Sequence, residues 1–110
     1  FIFSRDVAKG MLKVVSKRFK DPINLGSGKG YPIKYVAEIV AKSVPNGPLK
    51  IKWKKTKSAG DKKRILGNKL QKKINFKIQT SLEDGIKETI NWFVNNKKTY
   101  RARFNSFLED

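Results

Sequence analysis

Apolar residues near the start of the chain recur at intervals of three and four. This spacing predicts an amphipathic helix that buries one stripe of side chains. Asp6 precedes most of the stripe and is predicted to be the N-cap, with its carboxylate accepting from free backbone N–H groups. Asp21-Pro22 is predicted to end the segment, because the residue before a proline avoids the helical region. The predicted buried stripe contains Val7, Ala8, Met11, Leu12, Val15 and Phe19.

Two further helices are predicted downstream. Apolar residues follow the helical period through residues 33–44, and Pro45-Asn46-Gly47-Pro48 stops them. Thr80 and Ser81 precede Glu83-Asp84, which is typical of a helix N-terminus because hydroxyls cap free N–H groups and carboxylates suit the positive end of the dipole. The buried face of this last helix is predicted to contain Leu82, Ile86, Thr89, Ile90 and Phe93.

Short strands and one short helix are predicted between these segments. Ile23-Asn24-Leu25 is one strand candidate, and residues 49–53 alternate apolar side chains with lysines, as in a half-buried strand. Residues 68–74 are predicted as the short helix. Trp53 and Trp92 stand on amphipathic segments, which favours core positions over stacking on a base. The order predicts an α/β or α+β fold with strands too few and short to form a sheet alone.

The net charge adds a candidate binding function to this picture. The chain has 110 residues, enough for one small domain, and its 26 Lys and Arg against 9 Asp and Glu give +17. A field of this size attracts polyanions. Because the lysines are scattered along the chain, a solvated basic surface is the simpler interpretation, and a small nucleic-acid-binding module that binds non-specifically is the alternative.

Several classes of function are disfavoured by composition. The chain contains neither cysteine nor histidine, so disulfides, thiolate nucleophiles and the commonest general base are missing. A self-contained hydrolase or metalloenzyme is therefore not expected. No apolar run reaches the ~18–20 residues that cross a bilayer, and no signal-peptide pattern opens the chain. The basic helices also lack the Trp/Phe/Leu-rich face that is typical of membrane-surface proteins. We therefore expect a cytoplasmic protein without membrane contact.

The run Leu25-Gly26-Ser27-Gly28-Lys29-Gly30 contains half of a phosphate-binding loop. In a Walker loop a Ser or Thr follows the lysine and holds magnesium, but here Gly30 follows it. In the dinucleotide fingerprint the third glycine comes one residue later, and an acidic residue ~20 positions downstream takes the ribose. Neither motif is complete. The run is therefore predicted to be a strand-to-helix connection in which glycines permit positive φ.

Four blocks of the sequence occur in the order found at the C-terminal end of extended short-chain dehydrogenases/reductases. The blocks are FIFSRDVAKGML, INLGSGKGYPIKYVAEIV, AGDKKRIL and INFKIQTSLEDGIKETINWF. Together these blocks cover nearly the whole chain. Within the family, the chain most resembles relatives of GDP-fucose synthase and UDP-glucose epimerase. The resemblance implies that residues 1–94 are the nucleotide-sugar-binding C-terminal lobe of an NAD(P)-dependent epimerase, dehydratase or reductase, and that residues 95–110 are a basic tail.

The resemblance also implies which parts of such an enzyme lie elsewhere. An upstream Rossmann domain would hold NAD or NADP, so this chain alone is expected to bind no cofactor. The family's catalytic Tyr-x-x-x-Lys has no counterpart here: Tyr31 and Tyr35 have no lysine four residues on. The expected partners are a nucleoside-diphosphate sugar, the Rossmann domain and a second copy in a homodimeric parent. The chain by itself is expected to be inactive.

Three residues are implied as substrate contacts. Asp61 lies in the block that resembles the family's Gly-Asp-x-x-Arg segment, and its carboxylate would accept from a ribose hydroxyl. Lys63 and Arg64 would contact the diphosphate, since Lys offers a point charge and Arg a rigid fork of donors. Ser58 stands where relatives place an Arg. An equally good interpretation of Asp61 is a carboxylate in a turn that pairs with a nearby lysine.

Overall fold

The computed structural model describes residues 1–54, 64–97 and 99. This part of the chain contains three α-helices: α1 (Ser4–Ser16), α2 (Ile33–Ser43) and α3 (Leu82–Asn95). A single 3-10 turn, Lys69–Lys72, replaces the longer helix predicted over residues 68–74. Residues 23–25 and 49–53, predicted as strands, are neither helix nor strand. A strand needs a neighbouring strand to satisfy its backbone groups, and the described part of the chain provides none. The α/β fold class therefore stays a proposal.

The predicted boundaries of α2 and α3 are confirmed closely. Pro32 is the N-cap of α2, and the helix ends one residue before Val44, the residue that precedes Pro45. The Ser81 side chain caps α3 by accepting from the backbone N–H of Asp84 at 3.0 Å. Both boundaries are set by local chemistry, because proline disfavours a helical conformation in the preceding residue and a serine oxygen satisfies a free N–H group.

The buried apolar core is small. Ile74 and Phe76, in the loop between the 3-10 turn and α3, are 0% and 5% exposed, and Ala41 of α2 is also buried. Gly10 of α1 lies against this core: a Cβ on it would come within 2.5 Å of Leu25 Cδ1 and 3.2 Å of the Phe76 ring. The space between α1 and this part of the core therefore leaves no room for a side chain at Gly10.

The prediction that α1 buries its apolar stripe is wrong. Met11, Leu12 and Val15 are 60%, 71% and 74% exposed, while the residues of α1 that are buried are Asp6 and Gly10. The helix presents the side with Asp6 and Gly10 to the core because Leu25 and Phe76 approach at Gly10, and this orientation turns much of the apolar stripe outward. Trp53 and Trp92, predicted as core, are 56% and 48% exposed.

Asp6 is not the N-cap of α1. Phe3 occupies that position, and Asp6 lies in the first turn with only 1% of its surface exposed. Its Oδ2 accepts from the backbone N–H groups of Gln79 and Thr80 at 3.1 and 2.9 Å. Asp6 therefore links the start of α1 to the segment that leads into α3.

In the part of the chain that the structure describes, no helix is both long and apolar enough to cross a membrane.

Candidate functional site

Two adjoining cavities lie beside the glycine run. The larger, of about 1060 Å³, extends along α3, and we call it the apolar cavity. The smaller, of about 760 Å³, is formed by residues 1–2, 25–33 and 64–66, and we call it the glycine-run cavity. Both volumes are in the range of small-ligand sites. The residues that line both cavities are Phe1, Ile2, Gly26, Ser27, Lys29 and Tyr31.

The glycine run is held in place by side chains distant in sequence. The buried Gln71 accepts from the backbone N–H of Gly26 through its Oε1 at 3.0 Å. Gly28 has a φ of 68°, and a Cβ there would lie 2.5 Å from the Asn68 side-chain nitrogen. The predicted positive φ is thus confirmed at Gly28. Close packing against Asn68 adds a second reason for glycine at this position.

Arg64 is the predicted substrate residue that the structure describes. It is exposed and lines the glycine-run cavity together with Lys29. Asp61 and Lys63 lie outside the described residues. The described lining of this cavity includes two cations and no carboxylate, so its electrostatic potential favours an anion. A guanidinium can form two parallel hydrogen bonds with phosphate oxygens, and the lysine can add a point charge.

The apolar cavity has a different lining. Phe3 and Phe76 line it, as do Ile86, Ile90 and Phe93 of α3. Its charged lining residues are Lys29, Lys72, Lys77 and Glu83. Such a lining suits the uncharged part of a ligand whose anionic part lies in the neighbouring cavity.

Two tyrosines and one carboxylate tie α2 to α3 beside the cavities. The rings of Tyr31 and Tyr35 stack with centroids 6.0 Å apart and planes 13° apart. The Tyr35 hydroxyl donates to the Glu83 carboxylate. This hydrogen bond raises the pKa of Tyr35 above its usual value, and the same bond lowers the pKa of Glu83. Because Tyr31 lines both cavities, the pair positions a wall that they share.

The glycine run lacks features of a dinucleotide-binding loop. No strand precedes the run in the described residues, and the Asn68 side chain packs against Gly28. The described residues also contain no cluster of acidic side chains able to hold a metal ion.

Sequence patterns did not identify Gln71 or the Tyr35–Glu83 pair. Gln71 lies in a lysine-rich stretch where a polar residue carries no signal, and its role depends on a partner 45 positions away. Tyr35 and Glu83 are 48 positions apart and belong to different helices. Only the packing of α2 on α3 brings these two residues together.

Comparison with curated proteins finds distant relatives that match over part of their length. An uncharacterised protein of Methanocaldococcus jannaschii is 32% identical over 88% of this chain and 30% of its own length. The probable GDP-L-fucose synthase 1 of Oryza sativa is 31% identical over 67% of this chain and 22% of that protein. GDP-L-colitose synthase of Yersinia pseudotuberculosis is 26% identical over 88% of this chain and 32% of that protein.

These matches concern a segment of larger proteins. The chain spans about a third or less of the length of the relatives that it matches. No family model and no solved structure matches the chain. What the comparisons show is that the chain is distantly similar to part of GDP-sugar synthases, which supports a relation to nucleotide-sugar enzymes.

Proposed function

We propose that this chain is the C-terminal, nucleotide-sugar-binding lobe of an extended short-chain dehydrogenase/reductase. The observation that carries the proposal is the position of Arg64: it lines one cavity with Lys29 and the glycine run, and no described carboxylate competes for the cations there. The similarity to part of GDP-sugar synthases supports the same assignment.

Arg64 and Lys29 would bind the diphosphate in the glycine-run cavity. The shared wall at Tyr31 connects this cavity to the apolar cavity, which would accept a less charged part of the same ligand. Two cations fix the phosphates, so the sugar is held in one orientation towards the catalytic residues. In this proposal those residues and the NAD or NADP that performs hydride transfer belong to a Rossmann domain outside this chain, and the parent enzyme is a homodimer.

A nucleotide titration tests the proposal. GDP is the first ligand, because the named relatives are GDP-sugar synthases. Ligand-observed NMR on the 110-residue chain should detect GDP binding, and Arg64→Gln should weaken it about tenfold or more, because a charge-assisted hydrogen bond contributes about 1.5–3 kcal/mol.

The matched control is Lys42→Gln, which removes one exposed charge at the end of α2. It should leave the GDP affinity within about twofold of the unmodified chain, because Lys42 lines neither cavity. Equal weakening by both variants would mean that GDP responds only to net charge. That result, or no binding of GDP at millimolar concentration, would contradict the proposal.

A further inference from the structure

Two lysines of α1 contact a loop that carries three more lysines. Lys13 Nζ donates to the backbone oxygen of Asn75 at 2.6 Å, across 62 positions of sequence. Lys9 Nζ donates to the Gln79 side-chain oxygen, across 70 positions. We call these five residues the lysine surface: Lys9, Lys13, Lys72, Lys73 and Lys77.

The charges of the lysine surface are not neutralised by described carboxylates. All five side chains belong to exposed residues, and no ion pair joins any of them to a described acidic residue. Of the acidic residues, Glu88 pairs with Arg5, and the buried Asp6 interacts electrostatically with Lys9 and leaves the other four lysines without a described counter-charge. The surface is therefore a local excess of positive charge that folding creates from two distant segments.

The apolar residues near these lysines do not favour membrane binding. Ile74 and Phe76, which lie among the loop lysines in sequence, are buried in the core. Residues two positions apart in an α-helix point about 200° away from each other, so Met11 and Val15 lie on the opposite side of α1 from Lys13. A membrane-surface site needs apolar side chains that insert beside its lysines. Leu12, three residues after Lys9 on the same helix, is 71% exposed, but one apolar side chain beside five lysines suits a hydrated phosphate backbone better than a membrane.

We propose that the lysine surface binds the phosphate backbone of duplex nucleic acid without reading its bases. Lysine offers a point charge to phosphate without the rigid fork of arginine, and contacts to phosphate carry no sequence information, so binding through this surface is independent of base sequence. The site includes neither Arg64 nor the lining of the glycine-run cavity, while Lys72 and Lys77 also line the apolar cavity. It adds a polyanion-binding activity to the nucleotide-sugar site proposed above and does not depend on it.

Salt-dependent binding of a labelled 20-base-pair DNA duplex, followed by fluorescence anisotropy, tests this proposal. If all five lysines contact phosphates, a plot of log K against log salt concentration should have a slope of about −4.5, since each contact contributes about −0.9. The triple variant K9Q/K13Q/K73Q should weaken binding about tenfold or more at low salt and reduce the magnitude of the slope by about 2.7.

The matched control is K34Q/K42Q/K87Q, which removes the same three charges from exposed positions on α2 and α3. It should change the slope by less than about one. Circular dichroism would verify that both triple variants fold. If the first one unfolds, K73Q alone, whose side chain makes no hydrogen bond within the described residues, should still reduce the slope by about 0.9.

Two outcomes would overturn the proposal. The first is equal weakening by the two triple variants, which would show that only net charge matters. The second is tighter binding to phosphatidylserine vesicles than to the duplex, which would make the site a lipid surface. Because R64Q should impair GDP binding and leave duplex binding intact, the two proposals can fail separately.

Discussion

The backbone N–H of Thr80 donates to Asp6 Oδ2 at 2.9 Å, across 74 positions of sequence. Gln79 donates to the same oxygen. One buried carboxylate therefore fixes the first turn of α1 against the segment that leads to the Ser81 cap of α3. Gln79 and Thr80 also line the apolar cavity, so this contact positions part of its wall.

Replacing Asp6 with Asn should destabilise the chain by about 1–3 kcal/mol, because two part-buried N–H groups lose the ionised acceptor that a buried residue provides. Urea denaturation at pH 7 would measure the change in the free energy of unfolding. Asp21→Asn is the control, because Asp21 is exposed and makes no hydrogen bond or ion pair with the other described residues. A cost at Asp6 no larger than at Asp21 would contradict this prediction.

The same carboxylate predicts an acid-sensitive component of stability. Burial raises the pKa of Asp6, but hydrogen bonds from the Thr80 and Gln79 backbone outweigh burial, and the pKa lies below its ordinary value. A depressed folded-state pKa stabilises the fold above the unfolded value of about 4, and this contribution is lost as pH falls through the folded value.

Unfolding measured from pH 7 down to pH 2 should therefore show a steeper loss of stability below about pH 4 in the unmodified chain than in the Asp6→Asn variant. Parallel pH profiles of the two proteins would show that Asp6 does not contribute this component.

The glycine run offers a comparison between two glycines that are separated by one residue. Gly28→Ala should cost about 1–2 kcal/mol, because its φ of 68° is unfavourable for a residue with a Cβ, and that Cβ would also displace Asn68. Gly26→Ala is the control, since its Cβ would meet nothing within 4 Å. Chemical denaturation of both variants would measure the difference. Equal costs at the two positions would show that backbone conformation at Gly28 is not the reason for glycine there.

The Tyr35–Glu83 hydrogen bond should be visible in the titration of tyrosine. The bond raises the pKa of Tyr35, so ultraviolet absorbance of phenolate should show this residue ionising at higher pH than a free tyrosine, whose pKa is about 10. Glu83→Gln removes the negative acceptor and should return Tyr35 towards the ordinary value. The variant Tyr35→Phe identifies which part of the absorbance curve belongs to this residue. A curve that Glu83→Gln leaves unchanged would contradict the assignment.

The exposed face of α1 should tolerate polar substitution. Leu12 is 71% exposed, so Leu12→Gln should change the free energy of unfolding by no more than about 0.5 kcal/mol. Ile74 is fully buried, and Ile74→Ala should cost about 2–5 kcal/mol through lost burial and the cavity left behind. Thermal and urea unfolding of the two variants would compare them. Similar costs would mean that Leu12 is covered in the folded protein.

Local sequence determined the ends of α2 and α3 and the positive φ at Gly28. Pro45 and the Ser81 cap act on backbone groups within a few residues of themselves, so their effects could be predicted without knowing what packs around them. The periodicity of α1 likewise indicated a helix from a pattern contained within that segment.

The orientation of α1, the role of Asp6 and the lysine surface were decided only by the tertiary structure. A helical pattern shows which residues share a face, but which face is buried depends on where Leu25 and Phe76 approach Gly10. The sequence pattern predicts that Asp6 caps its own helix, whereas its partners Gln79 and Thr80 are more than 70 positions away. Lys9 and Lys13 reach the lysine-rich loop for the same reason: contacts between distant segments depend on how the whole chain packs, and local preferences do not specify them.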